Sequence, residues 1–191
     1  RILAALSETG ADQNTLVVFS SDHGEWLGDH GLMLKGPMAY EGLLRVGLLI
    51  SGPGVPCGKL VHEPVSTLDL APTFVDYGAA SALGPLHGRS LRPLIEGNDE
   101  TRDCAYSEWD VQPSRCGVPL QLRTVRTADW KLTLELTSGA GEMYCLNDDP
   151  DELTNRFDDP GVAAVRKRLI SLLDERPNDV LAHPLPYSGF A

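Results

Sequence analysis

The chain has 191 residues, of which 42% are hydrophobic and 23% charged, a mixture that can bury a core of ordinary domain size and excludes intrinsic disorder as the default. Its 27 acidic and 16 basic residues leave a net charge of −11, which excludes nonspecific nucleic-acid binding, because that binding rests on Lys and Arg neutralising phosphates. No apolar run approaches the roughly 18 residues needed to span a bilayer, and no basic amphipathic run points to a membrane surface.

In chain order, Arg1 to Leu6 reads as the end of a helix, with Ile2, Leu3 and Leu6 on one face and Gly10 as the stop. The β-rich run Thr15 to Ser20 has the pattern of a strand buried on both faces in a parallel sheet. A polar, Gly-rich stretch from Ser21 to about Tyr40 follows. Val46 to Ser51 reads as a second buried strand, closed by Gly52-Pro53-Gly54. Asp69 is placed to cap a helix from Leu70 to Tyr77, with Pro72 in the tolerated first turn and Gly78 as its end. Leu91 to Ile95 is a short apolar patch, and Gly97-Asn98-Asp99 is the predicted boundary between an α/β part, 1–98, and a second part, 99–191.

Beyond that boundary the pattern becomes that of an antiparallel meander. Cys104 to Trp109 and Leu122 to Thr127 are strand-like, with Trp109 and Trp130 assigned to core packing. Lys131 to Leu136 alternates with period two, as a strand with one wet face does. Ser138 to Gly141 is a turn, and Glu142 to Leu146 the partner strand. Asp159 and Pro160 open a last helix, whose apolar face carries Val162, Val165, Leu169, Leu172 and Leu173, with Pro177 as the stop. The tail from Asn178 to Ala191 is expected to be extended, and suits packing against a partner or a second copy. Two parallel strands cannot make a self-sufficient sheet, and the first helix lacks a preceding strand, so the α/β part reads as incomplete. The chain opens at Arg1 rather than Met, so the lack of a visible leader carries no weight.

Four cysteines, Cys57, Cys104, Cys116 and Cys145, show no C-x-x-C spacing. A chain of this size does not need disulfides, so free thiols and a reducing, cytoplasmic compartment are the favoured reading.

Chemistry concentrates in the segment Ser20 to Lys35. Asp22 and His23 stand just past the carboxyl end of a predicted buried strand, where ligand sites of open α/β sheets gather. A carboxylate and an imidazole suit a divalent cation of the Ca²⁺, Mg²⁺ or Mn²⁺ kind, with the imidazole tilting toward transition metals. Two ligands do not complete a catalytic site, so further donors must come from elsewhere. As a bare dipeptide, Asp-His after a strand is more often a turn cap beside a surface imidazole, and most lysines are simply solvated. Glu25, Tyr40, Glu41 and Arg45 read as an internal network that fixes the loop. His62, His87 and His183 have no partner at ligand spacing and read as structural or surface residues.

The whole pattern changes those odds. Asp22 to Leu32, Lys35, Tyr40-Glu-Gly, Arg45-Val46 and Leu48 to Gly54 together resemble the sulfatases of the alkaline phosphatase superfamily. So do Leu68 to Thr73, Gly88 to Leu91 with Pro93-Leu94, Glu108-Trp109, Val125 to Thr127 with Trp130-Lys131, and Met143 to Glu152 with Asn155. The resemblance spans about residues 15 to 175 and is specific as a joint pattern, although each piece is weak. It implies an incomplete alkaline-phosphatase-like sheet followed by a small antiparallel sheet and helix. By the same resemblance, Asp22 and His23 are metal ligands, and Lys35 contacts the sulfate and the leaving oxygen; His30 and Asp29, in the same loop, either orient substrate or neighbouring groups or serve a structural role in the loop. Gly47 stands where the family often has Pro, which touches no chemistry.

Sulfatases carry a C-x-P-x-R or S-x-P-x-R motif whose Cys or Ser becomes formylglycine, and none of the four cysteines here lies in one. The nucleophile and an Asp pair of the metal site are therefore expected upstream of Arg1, and the isolated chain is expected to be inactive. The implied reaction is attack of a hydrated formylglycine on the sulfur of a small-molecule or glycan sulfate ester. The alternatives are a phosphonate monoester or phosphodiester hydrolase on the same scaffold, and a noncatalytic module that binds partners.

Overall fold

The computed structural model of the chain describes residues 1–82, 84–98, 102–111, 113 and 117–177. Strands β1 (Val17–Phe19) and β2 (Leu49–Ser51) form a small sheet. Strands β3 (Ala105–Val111), β4 (Leu120–Arg126), β5 (Trp130–Glu135) and β6 (Gly141–Cys145) form a four-stranded antiparallel sheet in sequential order. Among the described residues, the helices are α1 (Ile2–Glu8), α2 (Glu41–Leu44), α3 (Leu70–Tyr77), α4 (Arg92–Glu96) and α5 (Ala163–Asp174), with short 3₁₀ turns between. The architecture is mixed α/β: a small-sheet region followed by an antiparallel sheet and a C-terminal helix.

The meander's register is set by which residues share a face. Val125 lies opposite Leu132, and Leu132 opposite Met143, so one row crosses three strands. All three are fully buried against Leu169 and Leu173 of α5, with Val162, Val165 and Leu172 beside them. Each such side chain contributes about 1.5–3 kcal/mol by leaving water, so this row and the helix form the main core. Asp159 accepts a 2.7 Å bond from Gly161 N–H at the turn (Pro160–Val162) that leads into α5. The turn between β5 and β6 is held by Glu135, whose carboxylate accepts from Ser138 N–H (2.6 Å), Ser138 O–H (2.7 Å) and Gln121 N–H (3.2 Å).

The opposite face of this sheet is not wet. Lys131, predicted to point toward solvent, is 1% exposed. Tyr144 shares its row and packs with Trp26, Tyr40 and Leu43 from the first part, with Trp109 beside them. Alternation shows that a strand has two faces; it does not say what covers the second one. Trp130 packs with the α5 side, so the two tryptophans serve opposite faces.

The small sheet departs from its predicted direction. β1 and β2 pair antiparallel, Val17 opposite Ser51 and Phe19 opposite Leu49, and their side chains are exposed or half-buried; Phe19 and Leu49 are each 67% exposed. A short run of apolar residues carries strand propensity but no information on the direction of pairing. Ile2 and Leu3 of α1 are likewise exposed. The apolar patch at 91–95 is helix α4, which packs Leu91, Leu94 and Ile95 against Leu48, Ile50 and Leu70.

Helix α3 has the predicted bounds, but Asp69 works on the turn before it. Its carboxylate accepts from the N–H groups of Ser66 (2.9 Å) and Arg89 (2.8 Å) and from the Arg102 guanidinium (2.7 Å), in a nearly buried ion pair. Cys57, Cys104 and Cys145 are free thiols. Cys116, His183, Asp99 at the predicted boundary and the tail 178–191 lie outside the described residues.

Candidate metal and ester site

The segment after β1 turns at once into hydrogen bonds with itself. Ser21 Oγ donates to Asp22 Oδ1 (3.3 Å) and to the His23 carbonyl (2.7 Å), and the His23 N–H donates to Asp22 Oδ1 (3.0 Å). That N–H holds the Asp22 carboxyl below the usual carboxylate range although the group is exposed. Asp22 is therefore an anion at neutral pH.

His23 Nδ1 lies 2.7 Å from the Gly24 carbonyl, and its Nε2 lies 3.2 Å from Lys35 Nζ. An ammonium has donors only, so Nε2 accepts, and Nδ1 carries the proton that it donates to the carbonyl. A backbone carbonyl on one ring nitrogen is the arrangement that fixes tautomer and orientation in metal-binding histidines. Asp22 Oδ2 stands 3.6 Å from Nε2. Two acceptors thus converge at a separation that two bonds of about 2.0–2.4 Å to one cation can span, and a cation there would take the Nε2 lone pair that here accepts from Lys35. The donor types fit a divalent cation as two of its ligands. Among the described residues, no group of three or more His, Cys, Asp or Glu side chains could hold a metal alone.

Lys35 returns to His23 because the intervening loop folds back on itself. Trp26 N–H donates to the Leu34 carbonyl (3.2 Å) and Gly28 N–H to the Leu32 carbonyl (2.9 Å). The closure uses left-handed backbone at Leu27 (φ 52°), His30 (φ 55°) and Leu34 (φ 64°), and at Gly28 (φ 105°), which favours glycine. Non-glycine residues in that region are strained, so the closure is held by the loop's own hydrogen bonds at a conformational cost. At Gly24 a side chain would collide with the Gly42 carbonyl, so the backbone after His23 sits directly on α2.

Asp22 and His23 lie on a cleft of about 510 Å³ between the small sheet and the antiparallel sheet, which Glu41, Arg45, His62 and Arg126 also line. His30 is not brought to this cleft. Its ring stacks on Tyr40 (3.7 Å between centroids, 7° between planes) and faces a second cleft, with Asp29 and the loop 150–153. His62 and His87 are exposed. Of the predicted loop network, Tyr40 and Glu41 take part, whereas the side chains of Glu25 and Arg45 are exposed and make no hydrogen bond or ion pair among the described residues.

The sequence reading missed the groups that meet Glu41. The Lys131 ammonium forms an ion pair with Glu152 and lies 3.5 Å from Glu41, which also meets Arg126 at 3.4 Å. Burial pushes the Glu152 carboxyl up, opposed by the Lys131 ammonium. The available signal was an acidic residue inside the closing D-P-D-E segment; a lysine on the polar side of an alternating strand carries none.

The family described as N-sulphoglucosamine sulphohydrolase, C-terminal, matches residues 28–179. The chain is 31% identical, over 91% of its length, to a Δ4,5-hexuronate-2-O-sulfatase of Bacteroides thetaiotaomicron, and covers 37% of that protein. It superimposes with a TM-score of 0.77 and 30% identity on an enzyme solved with its substrate D-glucosamine-2-N,6-O-disulfate, covering 92% of this chain and 36% of that one. A phosphonate monoester hydrolase of Agrobacterium radiobacter gives a TM-score of 0.78 and 32% identity, covering 95% of this chain and 39% of that one. The chain thus spans a little over a third of the length of these relatives. With the family model matched over residues 28–179 and a sulfatase 31% identical over 91% of its length, the chain belongs to the sulfatase family, in that family's C-terminal portion.

Proposed function

We propose that the chain is the C-terminal part of a metal-dependent sulfatase that hydrolyses sulfate esters of small molecules or glycans. The observation that supports this reading best is the convergence of Asp22 Oδ2, His23 Nε2 and Lys35 Nζ at the end of β1. Asp22 and His23 would hold a divalent cation, Ca²⁺ by preference, with the remaining ligands coming from residues outside this chain. A cation there supplies Lewis-acid polarisation and a template for the ester group. Lys35 binds the anionic ester and stabilises charge on its oxygens, a role for which an ammonium aimed at developing charge is worth a few kcal/mol. Gly24 and the carbonyl it presents keep His23 in one tautomer. None of the four cysteines stands in a C-x-P-x-R motif, so the nucleophile, a formylglycine by family resemblance, belongs to residues outside these 191. His30, stacked on Tyr40, would shape the neighbouring cleft, where it can meet a more distant part of the substrate.

A second reading, phosphonate monoester hydrolysis, is favoured by the 32% identity to the Agrobacterium enzyme. The same three side chains serve either ester. The test is a parallel assay of the full-length protein containing this chain on aryl sulfate and aryl phosphonate monoesters. Faster sulfate turnover is expected, reduced about 10²–10³-fold by Lys35→Met. Faster phosphonate turnover selects the second reading. Turnover of neither, or turnover indifferent to Lys35, overturns both.

A further inference from the structure

The C-terminal sheet does more than complete a hydrophobic core. We infer that the buried charge cluster Lys131–Glu152–Glu41 is a positioning strap that holds α2, and through α2 the backbone of Asp22-His23-Gly24, in register for cation binding. The part of this inference that concerns a cation rests on the reading given under Proposed function; the part that concerns geometry does not.

The strap can be followed atom by atom. Lys131 projects from β5 onto the sheet face turned toward the first part of the chain, and its side chain is 1% exposed. The Glu152 side chain, 2% exposed, meets that ammonium. Glu152 Oε2 also accepts a 2.7 Å bond from the Glu41 N–H, at the start of α2. The Glu41 carboxylate returns to Lys131 at 3.5 Å and to Arg126 of β4 at 3.4 Å. Two carboxylates and two cations therefore balance within the cluster. At the far end of α2, the Leu43 carbonyl accepts from the Gly24 N–H at 2.8 Å, and Gly24 packs on the backbone of Gly42 so closely that no side chain fits between them. Gly24 directly follows His23, and its carbonyl is the acceptor for His23 Nδ1. The chain of contacts is continuous from β5 to the imidazole.

Three features argue that the cluster sets geometry rather than adding stability. Glu152 holds a left-handed backbone (φ 57°), a strained state for a side-chain-bearing residue. A buried ion cluster is seldom more stable than an apolar replacement of equal volume, because each charge loses its hydration. The neighbouring contacts are already apolar, since Trp26, Tyr40, Leu43 and Tyr144 would join the two parts without any charge. What the ions add is direction: an N–H of α2 has one acceptor, and that acceptor has one partner.

The test compares Glu152→Gln and the apolar double variant Lys131→Met/Glu152→Met with the unaltered chain. The double variant removes both buried charges together and so guards against an unfolded single mutant. Amide hydrogen exchange is read at Glu41 and Gly24, and at Leu132 and Met143 as reporters of the core. Titration with Mn²⁺ alone is read at the His23 ring by NMR. The strap is supported if the double variant speeds exchange at Glu41 and Gly24 about tenfold or more while Leu132 and Met143 keep their protection. It is overturned if Gly24 exchanges unchanged, or if all four amides speed up together, which is a loss of stability only. Given faster exchange at Gly24, weaker Mn²⁺ broadening of His23 extends the strap to cation binding. Unchanged broadening removes that extension and leaves the positioning of the backbone intact. Absence of Mn²⁺ broadening in the unaltered chain counts against the metal-site reading, and the exchange result still decides the strap.

Discussion

The loop from Ser20 to Lys35 and the sheet from β3 to β6 follow opposite rules. In the sheet, the row Val125, Leu132 and Met143 is fully buried, paired in register and capped by a helix whose apolar positions match it. In the loop, Leu27, Met33 and Leu34 are exposed, three non-glycine residues hold left-handed backbone, and most backbone hydrogen bonds close on the loop itself, with Gly24 N–H bonded instead to the Leu43 carbonyl of α2. Stability resides in the first region, and the proposed chemistry in the second. The buried cluster of Lys131, Glu152 and Glu41 is where one is coupled to the other.

That contrast can be broken or sharpened by substitution. The largest effect on stability is expected from Lys131→Met alone, which leaves buried carboxylates without their shared cation and should cost about 3–5 kcal/mol in urea unfolding. A cost below about 1 kcal/mol would mean that water reaches the cluster. Leu132→Ala should cost about 2–5 kcal/mol in the same measurement, through the cavity it opens beneath α5. Asp159→Ala, which removes the acceptor for Gly161 N–H, should cost about 0.5–2 kcal/mol. Lys35→Met should leave stability within about 0.5 kcal/mol while it removes activity from the full-length protein. A Lys35→Met chain that melts like Leu132→Ala would erase the distinction between the two regions.

A pH titration sharpens it further. The Ser138 hydroxyl and N–H hold the Glu135 carboxyl down at about 2, from an ordinary value of 4.5. A depressed carboxyl binds protons less readily in the folded chain than in the unfolded one. Its contribution is therefore fully present above about pH 4.5 and is lost as pH falls from there through about 2. Glu135→Gln should flatten the acid limb of the stability profile in that window. An unchanged limb would place the acid sensitivity elsewhere.

Legibility in the sequence divides along the same line. The meander, its turns, α3 and the apolar face of α5 were readable because each rests on local periodicity or a cap. The direction of the β1–β2 pair was not readable, because an apolar run does not encode which way its partner runs. The burial of Lys131 was hidden for a related reason: Glu41, which meets its ammonium, and Trp26, Tyr40 and Leu43, which pack on Tyr144 of the same face, lie about ninety positions or more earlier, and nothing local announces them. At the candidate site, the Asp22, His23 and Lys35 spacing was readable as a family pattern. The stacking of His30 on Tyr40, which turns it toward a second cleft, depends on the left-handed turn at His30 and was not. The assignment of Arg45 and Glu25 to the loop network failed because a charged residue near a loop is as readily solvated as paired.

The central claim is that Asp22 and His23 bind one cation. The most direct measurement is Mn²⁺ titration of the chain, followed by paramagnetic broadening of assigned side-chain and backbone resonances. Two ligands predict weak binding, with the His23 ring and Asp22 broadened first and that effect abolished by Asp22→Asn. Broadening that begins instead at the acidic turn Asp148 to Asp151, with the His23 ring left sharp, would contradict the claim.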